Sequence, residues 1–251
     1  MVWNDCLIRT SNNLSLQILY RDEHLIAINK PHGLLVHRSP IAADASEFAV
    51  QLLREQIGQK VYPVHRLDRK TSGVLLFALN EEANSQLQQA FMNKEVSKKY
   101  LAIVRGFTLE KGTIDYPLTT DDGKTQDAGT HYRTLQQFEI PVPFGKFETS
   151  RYSLVEVTPE TGRMHQIRKH FTHIFHPIIG DRPYGCNKQN KLFLEKWSMN
   201  TMLLHASELQ FRHPVTKGLI TTSAELQSDF ERVFQILTEE IKFSIFQIPK
   251  F

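Results

Sequence analysis

Cysteine is almost missing from this chain: Cys6 and Cys186 are the only two in 251 residues. With no Cys-x-x-Cys pair, neither a disulfide framework nor a thiolate zinc site can be built. A reducing compartment, the cytoplasm, is expected. Long apolar runs are also missing. No stretch reaches the ~20 residues of a spanning helix, and residues 1 to 15 mix Asp5 and Arg9 with Asn and Ser and lack the apolar core of a signal peptide. Nor is there much charge of one sign. Thirty Lys and Arg against 27 Asp and Glu leave a formal +3, which permits a phosphate-bearing partner but falls well short of a polybasic nucleic-acid coat. There is no internal repeat, and no linker long enough to separate two full domains.

What is present suffices for a sizeable core, since 41% of the residues are hydrophobic. Residues 1 to 15 show no clear periodicity and read as a loosely held extension, and residues 16 to 251 read as one domain. Leu16 to Tyr20 and His24 to Asn29 form an expected hairpin around Arg21-Asp22-Glu23, stopped by Pro31 and Gly33. Ala49, Leu52, Leu53 and Ile57 mark a helix over 46–57 ended by Gly58. Asn80-Glu81-Glu82 opens another, with an N-cap residue and two acids near the positive end of the helix dipole. Strands are expected at 98–104, 130–140, 148–158, 202–211 and 219–223. Helices are expected at 163–175, with Ile167, Phe171 and Ile174 inward, and at 224–237. Residues 119 to 129 read as a polar, flexible excursion, and the Phe-rich tail from Ile241 is expected to pack back. Strands outnumber helices and tight turns join several of them, so the expected class is α+β, with a mostly antiparallel mixed sheet flanked by helices.

Chemistry concentrates in His65-Arg66-Leu67-Asp68-Arg69-Lys70-Thr71-Ser72-Gly73. The segment lies between the apolar runs Val61–Val64 and Val74–Leu79, so it reads as a loop between buried strands, with Thr71-Ser72-Gly73 as turn residues. One carboxylate, Asp68, stands among Arg66, Arg69 and Lys70. Nearby cations favour its ionised form, which suits a nucleophile or base; the plainer reading is a solvated loop with ordinary surface ion pairs. Lys98-Lys99-Tyr100 and Thr161 to His170 are a second and a third constellation. Helical spacing places Arg168 beside the core and not in it. His165, His170, His173 and His176 invite a metal reading, and His173 and His176 are expected to share a helix face, but no Glu lies within the cluster as a His-Glu-x-x-His hydrolase requires. Gly123-Lys124-Thr125 is not a phosphate-binding loop, because the first glycine of that pattern would fall at Leu118.

His-Arg-Leu-Asp-x-x-Thr-Ser-Gly resembles the signature of the RluA-type RNA pseudouridine synthases. Lys98-Lys99-Tyr100 and Gly162-Arg163-Met164-His165-Gln166-Ile167-Arg168-Lys169-His170 are similar to the second and third motifs of that family. So are Asn29-Lys30-Pro31 with Gly33, His176 to Asp181 with Tyr184-Gly185, and Leu204-His205-Ala206 with His213-Pro214, all in the family order. The resemblance implies a single catalytic domain with a central RNA-binding cleft, and no cofactor and no metal. It implies Asp68 as the indispensable catalytic residue, Tyr100 stacked on the target uracil and assisting proton removal, and Arg168 in a salt bridge with Asp68. Arg66, Arg163, His165 and Gln166 are the implied RNA contacts, with Arg66 entering the space a flipped nucleotide vacates.

Val36-His37-Arg38-Ser39, Thr130 to Arg133 and Arg151 to Glu156, with the insert 139–148, are most similar to members that act on tRNA. The fifteen residues before the first strand are too few for an added RNA-binding domain, which points the same way. The expected substrate is therefore tRNA, at its uridine 65, and the expected state a monomer. The alternatives are a synthase acting on ribosomal RNA and a non-catalytic RNA-binding module. The latter leaves unexplained an anion where phosphates must be attracted. A glycoside hydrolase needs two facing carboxylates, and the signature has only one in a convincing context.

Overall fold

The computed structural model describes residues 7–10, 13–37 and 47–246, with side chains described at 15–37 and 47–240. Most of the expected N-terminal extension, the Arg38-Ser39 part of the tRNA-type segment, the helix start at Ser46 and the end of the Phe-rich tail lie outside the described residues. In chain order the elements begin β1 (Leu7–Thr10), β2 (Asn13–Arg21), β3 (Leu25–Lys30), α1 (Ala49–Ile57), β4 (Tyr62–Pro63), β5 (Ser72–Ala78), α2 (Glu81–Met92) and β6 (Ser97–Arg105). They continue β7 (Lys111–Asp115), β8 (Leu118–Thr119), β9 (Thr125–Gln126), β10 (Gly129–Ile140), β11 (Ser150–Pro159), α3 (Gln166–His173), α4 (Asn187–Trp197), β12 (Leu204–Arg212), β13 (Leu219–Ser223) and α5 (Ser228–Phe246). The class is α+β, as expected. No helix among the described residues is long and apolar enough to cross a membrane.

The chain gathers into two compact units, Met1–Lys99 with His205–Gln227, and Tyr100–Leu204 with Ser228–Phe251. In the first, the strand order is β1-β2-β3-β5-β12, with β4 also on β5 and β13 on β12. β3 and β5 are buried along their whole lengths, as befits apolar runs at the centre of a sheet covered on both faces. Asp22 closes the β2–β3 turn by accepting the His24 and Leu25 N–H groups, each at 2.7 Å. Asn80 caps α2 by accepting the Ala83 N–H at 2.9 Å, and Gly58 ends α1 in the left-handed region at φ 69°. Ala83 and Leu87 of α2 pack on Leu25, Ala27, Leu76 and Phe211.

Two expectations for this unit are corrected. Part of the supposed loose extension is strand β1, paired antiparallel with β2 from Leu7–Leu16 to Thr10–Asn13; edge pairing uses backbone groups and needs no apolar alternation. Ser72 and Gly73 are not turn residues but open β5. Gly73 pairs with Lys30 of β3 and with Ala206 of β12, the latter in a parallel register. A Cβ at Gly73 would lie 2.1 Å from the Ala206 carbonyl oxygen, and the residue sits at φ +107°. Close backbone approach, not a turn, requires this glycine.

The second unit has the strand order β6-β11-β10-β7, all antiparallel. On one face Ala102, Val104, Val155 and Val157 pack with Ile167 and Phe171 of α3. Elsewhere Tyr152 meets Phe193 of α4 edge-on at 5.2 Å, and Phe138 meets Phe234 of α5 at 6.0 Å. The excursion at 119–129 contains the β8–β9 hairpin, held at its base by Lys169 Nζ donating to the Thr119 carbonyl at 3.3 Å. α3 is shorter than expected, because His165 lies in the left-handed region at φ 57° and Phe175 at φ 63° bounds the other end. His176 therefore stands beyond the helix and shares no face with His173.

Candidate active site

The signature loop belongs to the first unit. Leu67 is buried and anchors it, Asp68 is half-buried, and Arg66 on the other side of Leu67 is exposed. His65 is structural: its Nε2 accepts the Leu76 N–H at 3.0 Å and its ring stacks on Phe91 at 4.9 Å. Burial, with the Lys98 charge second, lowers this imidazole to about 3. Ser72 donates to Nδ1 of His205 at 2.9 Å, since the other ring nitrogen, 3.2 Å from the Ala224 carbonyl, must carry the proton. Burial takes His205 down to about 4.

Beneath the loop lies Lys30, fully buried at the end of β3. Its Nζ donates to the carbonyls of Pro31 at 2.9 Å, Leu34 at 2.8 Å and Arg69 at 3.2 Å. The Gly33 N–H also donates to the Arg69 carbonyl, at 2.8 Å, and Arg69 Nε returns a bond to the Gly33 carbonyl at 3.1 Å. The loop after Asp68 is thereby stitched to the 31–34 turn, and the Thr71 N–H closes on the Asp68 carbonyl at 3.1 Å. Burial brings the Lys30 ammonium down to about 7, against the opposing pull of the Asp68 charge.

The third constellation belongs to the second unit and gathers at the start of α3. Arg168, expected beside the core, is in it, with 5% of its surface exposed. A carboxylate makes that burial tolerable. Nε and Nη2 of Arg168 donate to Oδ2 and Oδ1 of Asp181 at 2.7 and 2.9 Å, a bidentate pair that fixes the guanidinium plane. The Tyr184 ring lies 4.9 Å from the guanidinium carbon, and its hydroxyl is 2.9 Å from His165 Nδ1. Asn190 of α4 holds the segment by donating to the Asp181 carbonyl at 2.7 Å and accepting the Gly180 N–H at 2.8 Å.

Gln166, expected to touch RNA, is buried. Its amide nitrogen donates to the Gly129 carbonyl and to Thr130 Oγ1, while its oxygen accepts from Thr161 Oγ1 and the Arg163 N–H. It holds the turn before α3 to the start of β10. Arg163 is exposed, with Nε donating to the Asp127 carbonyl at 3.2 Å, and His165 is half-buried. Tyr100 begins this unit on β6, opposite Val157 of β11, and packs partly against the α3 face of the core. Of the other imidazoles, His170 is buried between Thr130 Oγ1 and the Tyr116 carbonyl, His173 stacks on Tyr116 at 3.7 Å, and His176 Nδ1 lies 2.8 Å from the Arg105 carbonyl.

Lys30, Asp181 and Tyr184 lie in runs that resemble the family, but sequence reasoning gave none of them a role. Their partners were not legible, because no spacing rule joins a strand end, or a helix residue, to a later loop.

A family model described as RNA pseudouridylate synthase matches residues 24–173. The tRNA pseudouridine synthase C of Haemophilus ducreyi is 50% identical over 231 residues, covering 88% of this chain and 95% of that one. The protein of the same name from Vibrio vulnificus is 46% identical, covering 88% and 94%. Among solved structures, human RNA Pseudouridylate Synthase Domain Containing 4 superposes with a TM-score of 0.67 at 27% identity, covering 88% of this chain and 93% of that one. Human RNA Pseudouridylate Synthase Domain Containing 1 gives 0.67 at 23%, covering 89% and 95%, a likeness of fold.

Proposed function

The chain belongs to the RNA pseudouridylate synthase family, and on that premise we propose that it converts uridine to pseudouridine at uridine 65 of tRNA, with Asp68 as nucleophile. The names of its relatives support tRNA as the substrate. The reaction breaks the bond between uracil N1 and ribose C1′, turns the base and rejoins it through C5, and it needs no energy source. A stacked uridine cannot present that bond to a carboxylate, so the nucleotide is flipped out of the helix at a cost of a few kcal/mol.

Asp68 then attacks C1′ or promotes elimination to a glycal. Tyr100 offers an aromatic face to the freed uracil and helps move a proton. Arg168 pairs with the Asp68 carboxylate, Arg66 holds the space left by the flipped base, and Arg163 and His165 contact the RNA beside it. The enzyme works as a monomer in the cytoplasm, in keeping with its scarce cysteines.

The observation that supports this reading most directly is the signature loop itself, with Asp68 at its centre and the backbone on its C-terminal side tied down by Lys30 and Gly33. Asp68→Asn is expected to abolish turnover in purified protein while leaving tRNA affinity nearly unchanged; appreciable residual activity rejects the assignment. A carbodiimide-based pseudouridine map of tRNA from cells with and without the gene tests the substrate. A signal lost from ribosomal RNA instead of tRNA would select the ribosomal alternative.

A further inference from the structure

Within the second unit, the turn that joins β10 to β11 borders a cleft that no step of the proposed reaction uses. Its volume is about 360 Å³, and the end of β6, the start of β11 and α4 supply the rest of its wall. That is room for one small ligand. The wall carries an aromatic face, a cation and an unsatisfied amide. Phe144 and Phe147 exchange backbone hydrogen bonds at 2.9 and 3.2 Å, so both rings stand on a closed turn, and 59% of Phe147 is nevertheless exposed. The guanidinium carbon of Arg105 lies 5.5 Å from the centre of the Phe144 ring, and Arg105 makes no ion pair among the described residues. Arg151 also lines the cleft but is held by Glu139 at 3.1 Å. Glu148, exposed, is the one carboxylate of the lining, against two arginines.

Gln189 of α4 is the residue that calls for an occupant. It is 2% exposed and lines the cleft. Its amide nitrogen donates to the Tyr152 hydroxyl, while its amide oxygen has no donor among the described residues. A buried acceptor left unmet is costly. An unpaired nucleotide answers all three features at once: the base stacks on an aromatic ring, the phosphate meets the guanidinium, and an N–H on the edge of the base satisfies the amide oxygen. A carboxylate from a protein partner would answer Arg105 alone. Tyr100 and Arg105 are five residues apart on β6, about 16 Å of strand, so the two do not hold the same nucleotide.

We propose that this cleft is a second nucleotide subsite, which takes one unpaired nucleotide of the substrate tRNA at a position other than the one modified. The enzyme thereby selects its RNA by a distant feature as well as by the target uridine. The inference rests on the reading of tRNA as the substrate and adds to it a site away from the chemistry.

The test uses the full chain and tRNA transcribed without modifications. Chemical footprinting is expected to show an unpaired nucleotide protected by the unaltered enzyme and released by Phe147→Ala. Phe147→Ala is expected to weaken tRNA binding ~10-fold, the scale of one lost base stack. Arg105→Gln is expected to lower the slope of log affinity against log salt by about one, the loss of one phosphate contact. Phe147 is exposed and Arg105 half-buried, so neither change opens the core. Removing the base of the protected nucleotide is expected to weaken binding by the unaltered enzyme by the same factor and to cost Phe147→Ala nothing further, because both changes delete one contact. Losses that simply add, or an affinity and footprint unchanged in both variants, overturn the subsite and leave the tRNA assignment standing. An unaltered enzyme that neither binds nor modifies tRNA rejects that assignment, and the subsite with it.

Discussion

Arg168 and Asp181 form the pair on which the third motif is mounted. With 5% and 1% of their surfaces exposed, neither charge can be left alone in the interior, and removing one partner of such a pair costs more than the pair itself contributes. Asp181→Asn keeps the shape and deletes the charge. It is expected to lower unfolding free energy by about 3 kcal/mol and to slow turnover, with urea unfolding and single-turnover assays as the measurements. Wild-type stability in the variant would show that Arg168 does not depend on this carboxylate. At this scale the sequence was informative about type and less so about partnership. Asp68, Tyr100 and Arg168 stood out because their neighbours in the chain match known motifs. Gln166 stood out for the same reason and proved to be buried and hydrogen-bonded within the fold, because a motif marks a position without saying which way its side chain faces.

Among the elements, the strand ends beside the signature carry two imidazoles held neutral by burial. His65 is lowered from 6.5 to about 3, and His205 from 6.5 to about 4. The unfolded chain takes up these protons near pH 6.5, whereas the folded chain resists until the lower values. Their stabilisation is therefore complete above pH 6.5 and is lost as pH falls towards 4 and then 3. Each contributes a slope of about 1.4 kcal/mol per pH unit within its window, measurable by urea unfolding across that range. His65→Phe should remove one share of the slope, and an unchanged slope would refute the assignment.

The same elements show where periodicity succeeds. α2 was readable from an N-cap residue and two acids, all local signals. α4 was missed although Gln189, Phe193 and Trp197 recur at four-residue spacing and are its buried residues. That stripe is narrow, begins with a polar residue, and has no side-chain cap to announce it. α3 was drawn three residues too early at its start because the left-handed turn at His165 has no glycine to mark it.

For the molecule as a whole, each compact unit is completed by a segment that returns from far along the chain: His205–Gln227 joins the first unit and Ser228–Phe251 the second. In the first unit the return is fastened where β12 runs parallel to β5 at Ser72–His205 and Gly73–Ala206. Gly73→Ala places a methyl group against the Ala206 backbone, and a main chain yields less readily than a side chain. The expected loss is at least about 2 kcal/mol, seen as a lower urea midpoint together with faster proteolysis within 205–227. A variant as stable as the parent would mean that β12 can shift without cost.

The sequence by itself determined the α+β class, most strands and helices, the loop around Asp68 and the family, because alternation, helical spacing, capping and motif order are written among near neighbours. Only the tertiary structure decided that Lys30 lies under the Asp68 loop, bonding across 39 residues to Arg69, that Asp181 holds Arg168 across 13, and that Gly73 is needed for a passing backbone. Hydrogen bonds and steric contact act over a few ångströms of space whatever the distance along the chain, so these pairings exist only once the strands have been brought together.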